Sequence, residues 1–469
     1  MIEGLKPYAE YKESGLPWLG SVPTHWDVRR TKLLLREVDS RSSTGKEQLL
    51  RVSQYTGVTQ RKASNGSDAP DTRAASLVGY KRVSANDLVI NIMLAWNGSL
   101  GASRYDGIAS PAYCVYRFRQ GALPWYYHEL FRLPLYKGRI KTASTGVVES
   151  RLRLYSDDLG RIEALLPPLD EQSAIVRFLD HANRKIDGFI RAKRKLIGLL
   201  NEQKQAIIHR AVTRGLDPDV PLKDSGIPWL GEIPARWEVL RLGRVIKLIT
   251  GFPFSSEGFS QKESAVRLLR GINVTPLGIR WDTTVHWERA HSDGLDEFLL
   301  EVGDIVLGMD RPIIASGVRA ASIQSQDIPS LLLQRVARLR PKEQITGQFL
   351  LLLLQGKLFA EYIAPIFTGV SVPHLSPEQI RGFKVMLPPL DEQRQLVSLI
   401  TNETDDIDSA ITRTDREIAL MQEYRTRLTA DIVTGKLDVR EASRHLPDEP
   451  IEAEPVTDTE DSEDAGTDF

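Results

Sequence analysis

The chain repeats itself once, over a distance too long for a solenoid. Residues 12–28, KESGLPWLGSVPTHWDV, return at 223–239 as KDSGIPWLGEIPARWEV, with ten of seventeen positions identical. LPPLDEQ stands at 166–172 and again, unchanged, at 387–393, and AVTRGLD (211–217) is echoed by IVTGKLD (432–438). The three pairs keep one order, offset by 211 residues for the first and 221 for the others. Repeats of 20–50 residues must stack to bury a face, whereas a unit of this size can hold its own core. Two units, roughly 12–217 and 223–438, are therefore expected to share a frame while their middles differ.

Within each middle, the alternating segments 87–94 and 113–119, then 304–309 and 335–340, read as strands. Asn86-Asp87 and Gly303-Asp304 are turn residues that open comparable strands. Helices are expected at 125–132 and 348–362, which makes each middle an α+β domain. After each LPPLDEQ the pattern changes. Two prolines forbid helix upstream, Asp170 or Asp391 suits an N-cap, and the next Glu suits the positive helix end. Ile175, Leu179, Ala182, Ile186, Phe189, Lys193, Leu196, Leu200, Gln203 and Ile207 then follow the 4-3 spacing of a coiled-coil seam. So do Leu396, Ile400, Glu403, Ile407, Ala410, Thr414, Ile418, Met421, Arg425, Leu428 and Ile432. Residues 170–214 carry ten basic and five acidic groups, and 391–434 carry five and ten, so the helices are expected to pair, antiparallel.

The expected order is an N-terminal frame segment (1–25), a first α+β domain (26–165), a helix (166–214) and a linker repeating the first segment (215–236). A second α+β domain (237–386), a second helix (387–440) and an acidic tail (441–469) follow. That tail is too poor in apolar residues to order itself.

Net charge is −1, yet 447–469 hold ten acids and no Lys or Arg, which leaves the rest at +9. Residues 26–160 have 21 basic and 12 acidic groups, against 16 and 15 in 237–381. A polyanion partner is the natural counterpart. The longest apolar run, Phe349 to Leu354, falls far short of the ~20 residues of a membrane span. With no leader pattern and one cysteine, Cys114, no membrane and a reducing cytoplasm are expected.

Motifs for chemistry are missing. Gly45-Lys46 and Gly435-Lys436 lack the following Ser or Thr of a P-loop, and both Pro-Pro pairs lie inside LPPLDEQ, away from any aromatic methyl-transfer loop. The histidines form no HExxH, and His286 and His291 have no suitably spaced co-ligands. Glu202-Gln203-Lys204 and Asp405-Asp406-Asp408 sit on the expected helices as solvated charge. No catalytic, cofactor or metal residue is assigned. Candidate contacts to a polyanion are Lys81, Arg82, Arg104, Tyr105, Arg117, Arg119, Arg139 and Lys141 in the first middle. In the second they are Arg267, Arg270, Arg280, Arg289, Arg311 and Arg319. Arginine can hold guanine or phosphate, and neighbouring aromatics can pack on sugars or bases.

Two unlike middles on one duplicated helical frame resemble the specificity subunit of type I restriction-modification systems. LPPLDEQ twice, each opening a long helix, carries the resemblance, together with GFPFSS (251–256) and TGV at 145–147 and 368–370. The resemblance covers about 11–440. The first copy departs from it where GVVESRLRLYSDD (146–158) lacks the Pro-His-Leu-Ser of GVSVPHLSPE (369–378). It implies two α+β target-recognition domains joined by two long helices in an antiparallel coiled coil, a pseudo-two-fold repeat. Each domain would read half of a bipartite, asymmetric site in double-stranded DNA. Partners would be two methyltransferase subunits using S-adenosylmethionine, and restriction (motor) subunits using ATP and Mg²⁺; this chain would bind none of these cofactors. Two other classes stay open on the residues alone: a coiled-coil scaffold with protein-binding ends, and an enzyme with an unrecognised site.

Overall fold

The computed structural model describes residues 5–447 except 62–73, 75, 149–150, 218, 228–229, 261, 263, 291–292, 315 and 368–372. The acidic tail from 448 onward, His291 and the second TGV lie outside the described residues. Among the described residues the compact units are 5–191 with 418–447, and 192–417, so they are not the sequence copies. The reason is the pairing of two long helices, Leu169–Arg214 and Leu390–Val433. In the second unit Lys193 meets Glu417 at 2.7 Å and Lys204 meets Asp408 at 2.6 Å, so the helices run antiparallel and basic faces acidic. The first unit contains the corresponding pair Arg425–Asp187, 3.0 Å. Each unit thus joins the beginning of one helix to the end of the other.

The buried seam drifts from the expected spacing. Ile175, Leu179, Ala182 and Ile186 are buried, but burial then passes to Ile190 and Ile208, and Phe189 is 58% exposed. On the second helix Leu396, Ile400, Ile407, Thr414, Ile418, Leu428 and Ile432 are buried as expected, and Thr404 and Ile411 take the places of Glu403 and Ala410. An α-helix has 3.6 residues per turn and moves ~20° per heptad against a 3.5 repeat, so over forty residues the contact line must step sideways by one residue.

The two middles, unlike in sequence, share a sheet. In the first unit the strand order is Leu35–Glu37, Tyr113–Phe118, Leu88–Asn91, Leu100–Ala102, all antiparallel. In the second it is Ile246–Thr250, Val336–Pro341, Ile305–Gly308, Ala320–Ser322, again antiparallel. A corner recurs with it. Asn86 (φ 71°) and Gly303 (φ 90°) turn the chain into the third strand of each order. The buried Asp87 accepts from the Ser84 amide and holds Arg117 at 3.1 Å, while Asp304 accepts from the Glu301 amide and holds Arg340 at 2.7 Å. Alternation puts both arginines at the same place on equivalent strands.

Helices Pro124–Arg132 and Pro134–Ala143 follow the first sheet, and Gly347–Gln355 and Lys357–Ile363 the second. The helix expected at 348–362 breaks at Gly356, whose extended backbone (φ −74°, ψ 156°) bends the pair by 58°. Glycine is a poor helix former, and the break lets Phe349, Leu353, Leu358 and Phe359 enter one core. Among the described residues no single helix is long and apolar enough to cross a membrane.

The repeated motifs meet at one joint per unit. Trp26, fully buried, donates through Nε1 to Glu171 at 2.8 Å, and Trp237 does the same to Glu392 at 3.0 Å. Gln172 accepts from the Leu123 amide (2.7 Å) and Gln393 from the Thr346 amide (2.9 Å), each fixing the N-cap residue of the following helix. Both glutamines also donate to carbonyls of their own LPP segment and of the loop ahead of that helix. The helices start at Leu169 and Leu390, so Asp170 and Asp391 stand inside the first helical turn, at the positive helix end, and not at the N-cap. The long helices end at left-handed glycines, Gly215 (φ 75°) and Gly435 (φ 78°), packed on the same tryptophans. A Cβ there would lie 3.2 Å from Trp237 and 2.9 Å from Trp26.

Candidate nucleic-acid interface

The fourteen candidate residues divide according to whether the fold already occupies them. Arg117 is held by Asp87, and the pair recurs as Arg340–Asp304, so it belongs to the frame of the domain. Arg289 sits between Asp293 (2.6 Å) and Asp296 (2.9 Å), and its guanidinium holds Asp293 down at about 2. Arg319 donates to the carbonyls of Val274, Asp310 and Gly271, stapling three turns, and burial lowers its pKa. Arg270 donates to the Thr283 carbonyl and is likewise depressed by burial. Lys81 is buried with Asp39 at 3.7 Å, and Arg139 lies 3.7 Å from Glu163. Tyr105 packs on the small cluster of Leu50, Val52 and Val58.

The others face solvent more fully or lie on aromatic rings. Arg104 stacks over Trp125 at 4.1 Å, Arg267 over Trp281 at 4.4 Å and Lys141 over Trp96 at 5.4 Å. Arg82 is exposed beside Glu47 (3.3 Å), Arg280 beside Asp282 (2.9 Å), and Arg119 is exposed near the Leu35 carbonyl. Arg311 is exposed, has φ 45°, and makes no side-chain hydrogen bond or ion pair among the described residues. Cations on aromatic faces and weakly paired surface cations are the groups that can exchange their contacts for phosphate or base at little desolvation cost.

Equivalent rims close one end of each sheet. In the first domain the Leu154 amide donates to the Ile92 carbonyl, beside exposed Met93 and Leu94 and the Trp96–Lys141 pair. In the second the Leu375 amide donates to the Met309 carbonyl, beside Asp310, Arg311, Arg335 and His374. Arg335 and His374 were not among the sequence candidates. In the sequence Arg335 reads as the first residue of an ordinary alternating strand, and it stands 39 positions from His374, so only folding brings them to 3.3 Å. The Pro-His-Leu-Ser that the first copy lacks was the one available signal.

A cavity of about 290 Å³ in the first unit is lined by Arg104, Trp125, His128, Glu129 and Asp180. Burial raises Glu129 to about 7 and lowers His128 to about 3. Among the described residues no group of three His, Cys, Asp or Glu could hold a metal.

Residues 234–417, the second domain with the start of its helix, match the type I restriction modification DNA specificity domain. The relatives found for the chain as a whole are named specificity subunits of type I restriction enzymes. The chain is 27% identical over 370 residues to the Type I restriction enzyme MjaVIII specificity subunit of Methanocaldococcus jannaschii, covering 77% of this chain and 83% of that one. It is 31% identical over 205 residues to the Type I restriction enzyme EcoAI specificity subunit of Escherichia coli, covering 44% and 34%. A chain from the structure described as "Structural basis underlying complex assembly and conformational transition of the type I R-M system" shares its fold. There the TM-score is 0.54 and the identity 15%, over 88% of this chain and 98% of that one.

Proposed function

We propose that this chain is a type I specificity subunit that reads a bipartite, asymmetric site in double-stranded DNA, one half through each α+β domain, and itself catalyses nothing. One observation carries the reading: two domains with the same strand order present different side chains at equivalent rims. Equal frames with unequal rims suit two half-sites of different sequence and two copies of one partner. The exposed cations and aromatic-stacked arginines support a phosphate-rich ligand.

The same reading gives the long helices a docking role for two methyltransferase subunits, with restriction subunits joining that assembly. Phe189 and Leu420 on the first unit's helical stretches, and Leu196 and Leu199 on the second's, are exposed apolar side chains suited to it. S-adenosylmethionine, ATP and Mg²⁺ would be used by those partners. The test replaces residues 26–165 with the corresponding domain of another specificity subunit and sequences methylated adenines in cells that also carry the methyltransferase. One half of the modified site should change while the other persists; a change in both would defeat independent reading.

A further inference from the structure

We infer that Arg335 is a guanine-reading arginine for the second half-site and that Asp310 and His374 position it. The inference rests on the DNA-reading proposal above and adds the residue, the base and the positioning device.

The backbone gives the first reason. Among the described residues three non-glycine positions have positive φ: Asn86, Arg311 and Arg335. Asn86 belongs to the repeated corner and is a residue type that tolerates this region; an arginine is not. Two arginines in that conformation stand on one rim, and neighbouring strands impose it. The Arg335 carbonyl accepts from Met309 (2.9 Å), the Met309 carbonyl accepts from Leu375 (2.9 Å), and the Arg311 amide donates to Pro373 (2.8 Å). Asp310 and His374 pair as an isolated bridge. Three separate segments are thus bound into one edge that holds a disfavoured backbone, the arrangement by which folds place functional side chains.

The side chains give the second reason. His374 Nδ1 lies 2.7 Å from Asp310 Oδ1, which fixes the ring beside the carboxylate. Arg335 Nη1 lies 3.3 Å from both ring nitrogens of His374, over the imidazole, and its Nε is 3.9 Å from Asp310 Oδ2. A carboxylate and an imidazole therefore orient one edge of the guanidinium while 52% of the side chain stays exposed. An arginine has five donors in a planar fork, so its outer edge can still meet the O6 and N7 of guanine in the major groove. A phosphate demands no such orientation. Arg311, exposed and with no side-chain partner among the described residues, has the character of a phosphate contact and serves as the internal contrast.

The third reason is the other copy. Its equivalent rim offers Met93, Leu94, Trp96 and Lys141, with Met93 and Leu94 at the positions of Asp310 and Arg311 and Arg153 at that of His374, as two readers of different sequences require.

The experiment uses the full specificity subunit with its methyltransferase and sequences the methylated sites. Arg335→Ala should relax one guanine of the second half-site, with discrimination falling roughly 5- to 150-fold, and leave the first half unchanged. Arg335→Lys keeps charge and stem without the fork, so it should relax the same position while preserving overall affinity. Asp310→Asn and His374→Ala should relax that position partially. Arg311→Ala should weaken all sites alike and reduce the salt slope by about one. An unchanged second half-site in Arg335→Lys, or uniform weakening in Arg335→Ala, overturns the inference. If replacing residues 237–386 also leaves the site unchanged, the DNA-reading proposal fails with it; if that replacement changes the second half, only the assignment of Arg335 falls.

Discussion

Glu129 offers a test of the first unit's packing that needs no DNA. It lies on helix Pro124–Arg132 and, with Asp180 of the first long helix, lines the 290 Å³ cavity. Burial pushes its carboxyl from the ordinary 4.5 up to about 7; Asp180 adds to this, and Arg132 and Arg104 oppose it. The gap corresponds to about 3 kcal/mol at 1.36 kcal/mol per pH unit. Because the folded value is the higher, the folded protein keeps a proton that the unfolded chain releases. Stability from this group is complete below about pH 4.5 and is lost as pH rises to about 7. Glu129→Gln removes the ionisation. The variant should exceed the parent by under about 1 kcal/mol at pH 5 and by up to about 3 kcal/mol at pH 8, the latter roughly 6–12 °C in the midpoint of a unit this large. Thermal unfolding between pH 5 and 8, with hydrogen exchange on residues 124–132, would measure it. Asp180→Asn should narrow the gap by removing a neighbouring negative charge. A difference between Glu129→Gln and parent that does not change with pH, or a variant less stable at pH 8, would refute the reasoning.

Arg117→Ala and Arg340→Ala each leave a buried aspartate without its cation and should cost about 1–3 kcal/mol, seen as a lower midpoint for the affected unit. The methylated sequence should stay the same, and relaxation of a base by Arg117→Ala would make it a reader. DNA affinity should fall steeply between 50 and 200 mM salt, and removing residues 448–469, with their ten acids, should strengthen non-specific binding. A flat salt response would count against the polyanion argument. Deleting seven residues from each long helix removes ~10 Å of helix and should bring the half-sites about three base pairs closer; an unchanged gap in an active complex would mean that the helices are not the ruler.

The parts of the fold legible in the sequence are those whose geometry admits few residues. The joint of Trp26, Glu171 and Gln172 is nearly closed to substitution, and it is the stretch repeated almost letter for letter as Trp237, Glu392 and Gln393. The strands at 113–118 and 336–341 were readable because alternation is local. What was hidden depends on distant partners. Asp87 is thirty residues from the Arg117 it neutralises, so the sequence could not separate this frame arginine from free ones. The seam stepped away from Phe189 because helical pitch accumulates along the whole element. The exchange of helix halves between units follows from antiparallel pairing, which no single helix encodes.

That exchange gives the two units different histories on the ribosome. The unit of 192–417 is one uninterrupted stretch and can close as soon as it has emerged. The other was begun first but is finished last. Its core includes Leu428, Ile432, Val433 and Val439, the Asp438 amide bonds to Lys6, and Arg440 reaches Glu171 beside Tyr8 and Trp26. At ordinary synthesis speeds the first domain therefore waits roughly 10–50 s with that surface uncovered. The domain translated second matures first, and the apolar face around Trp26 is exposed to chaperones until residues 428–440 arrive.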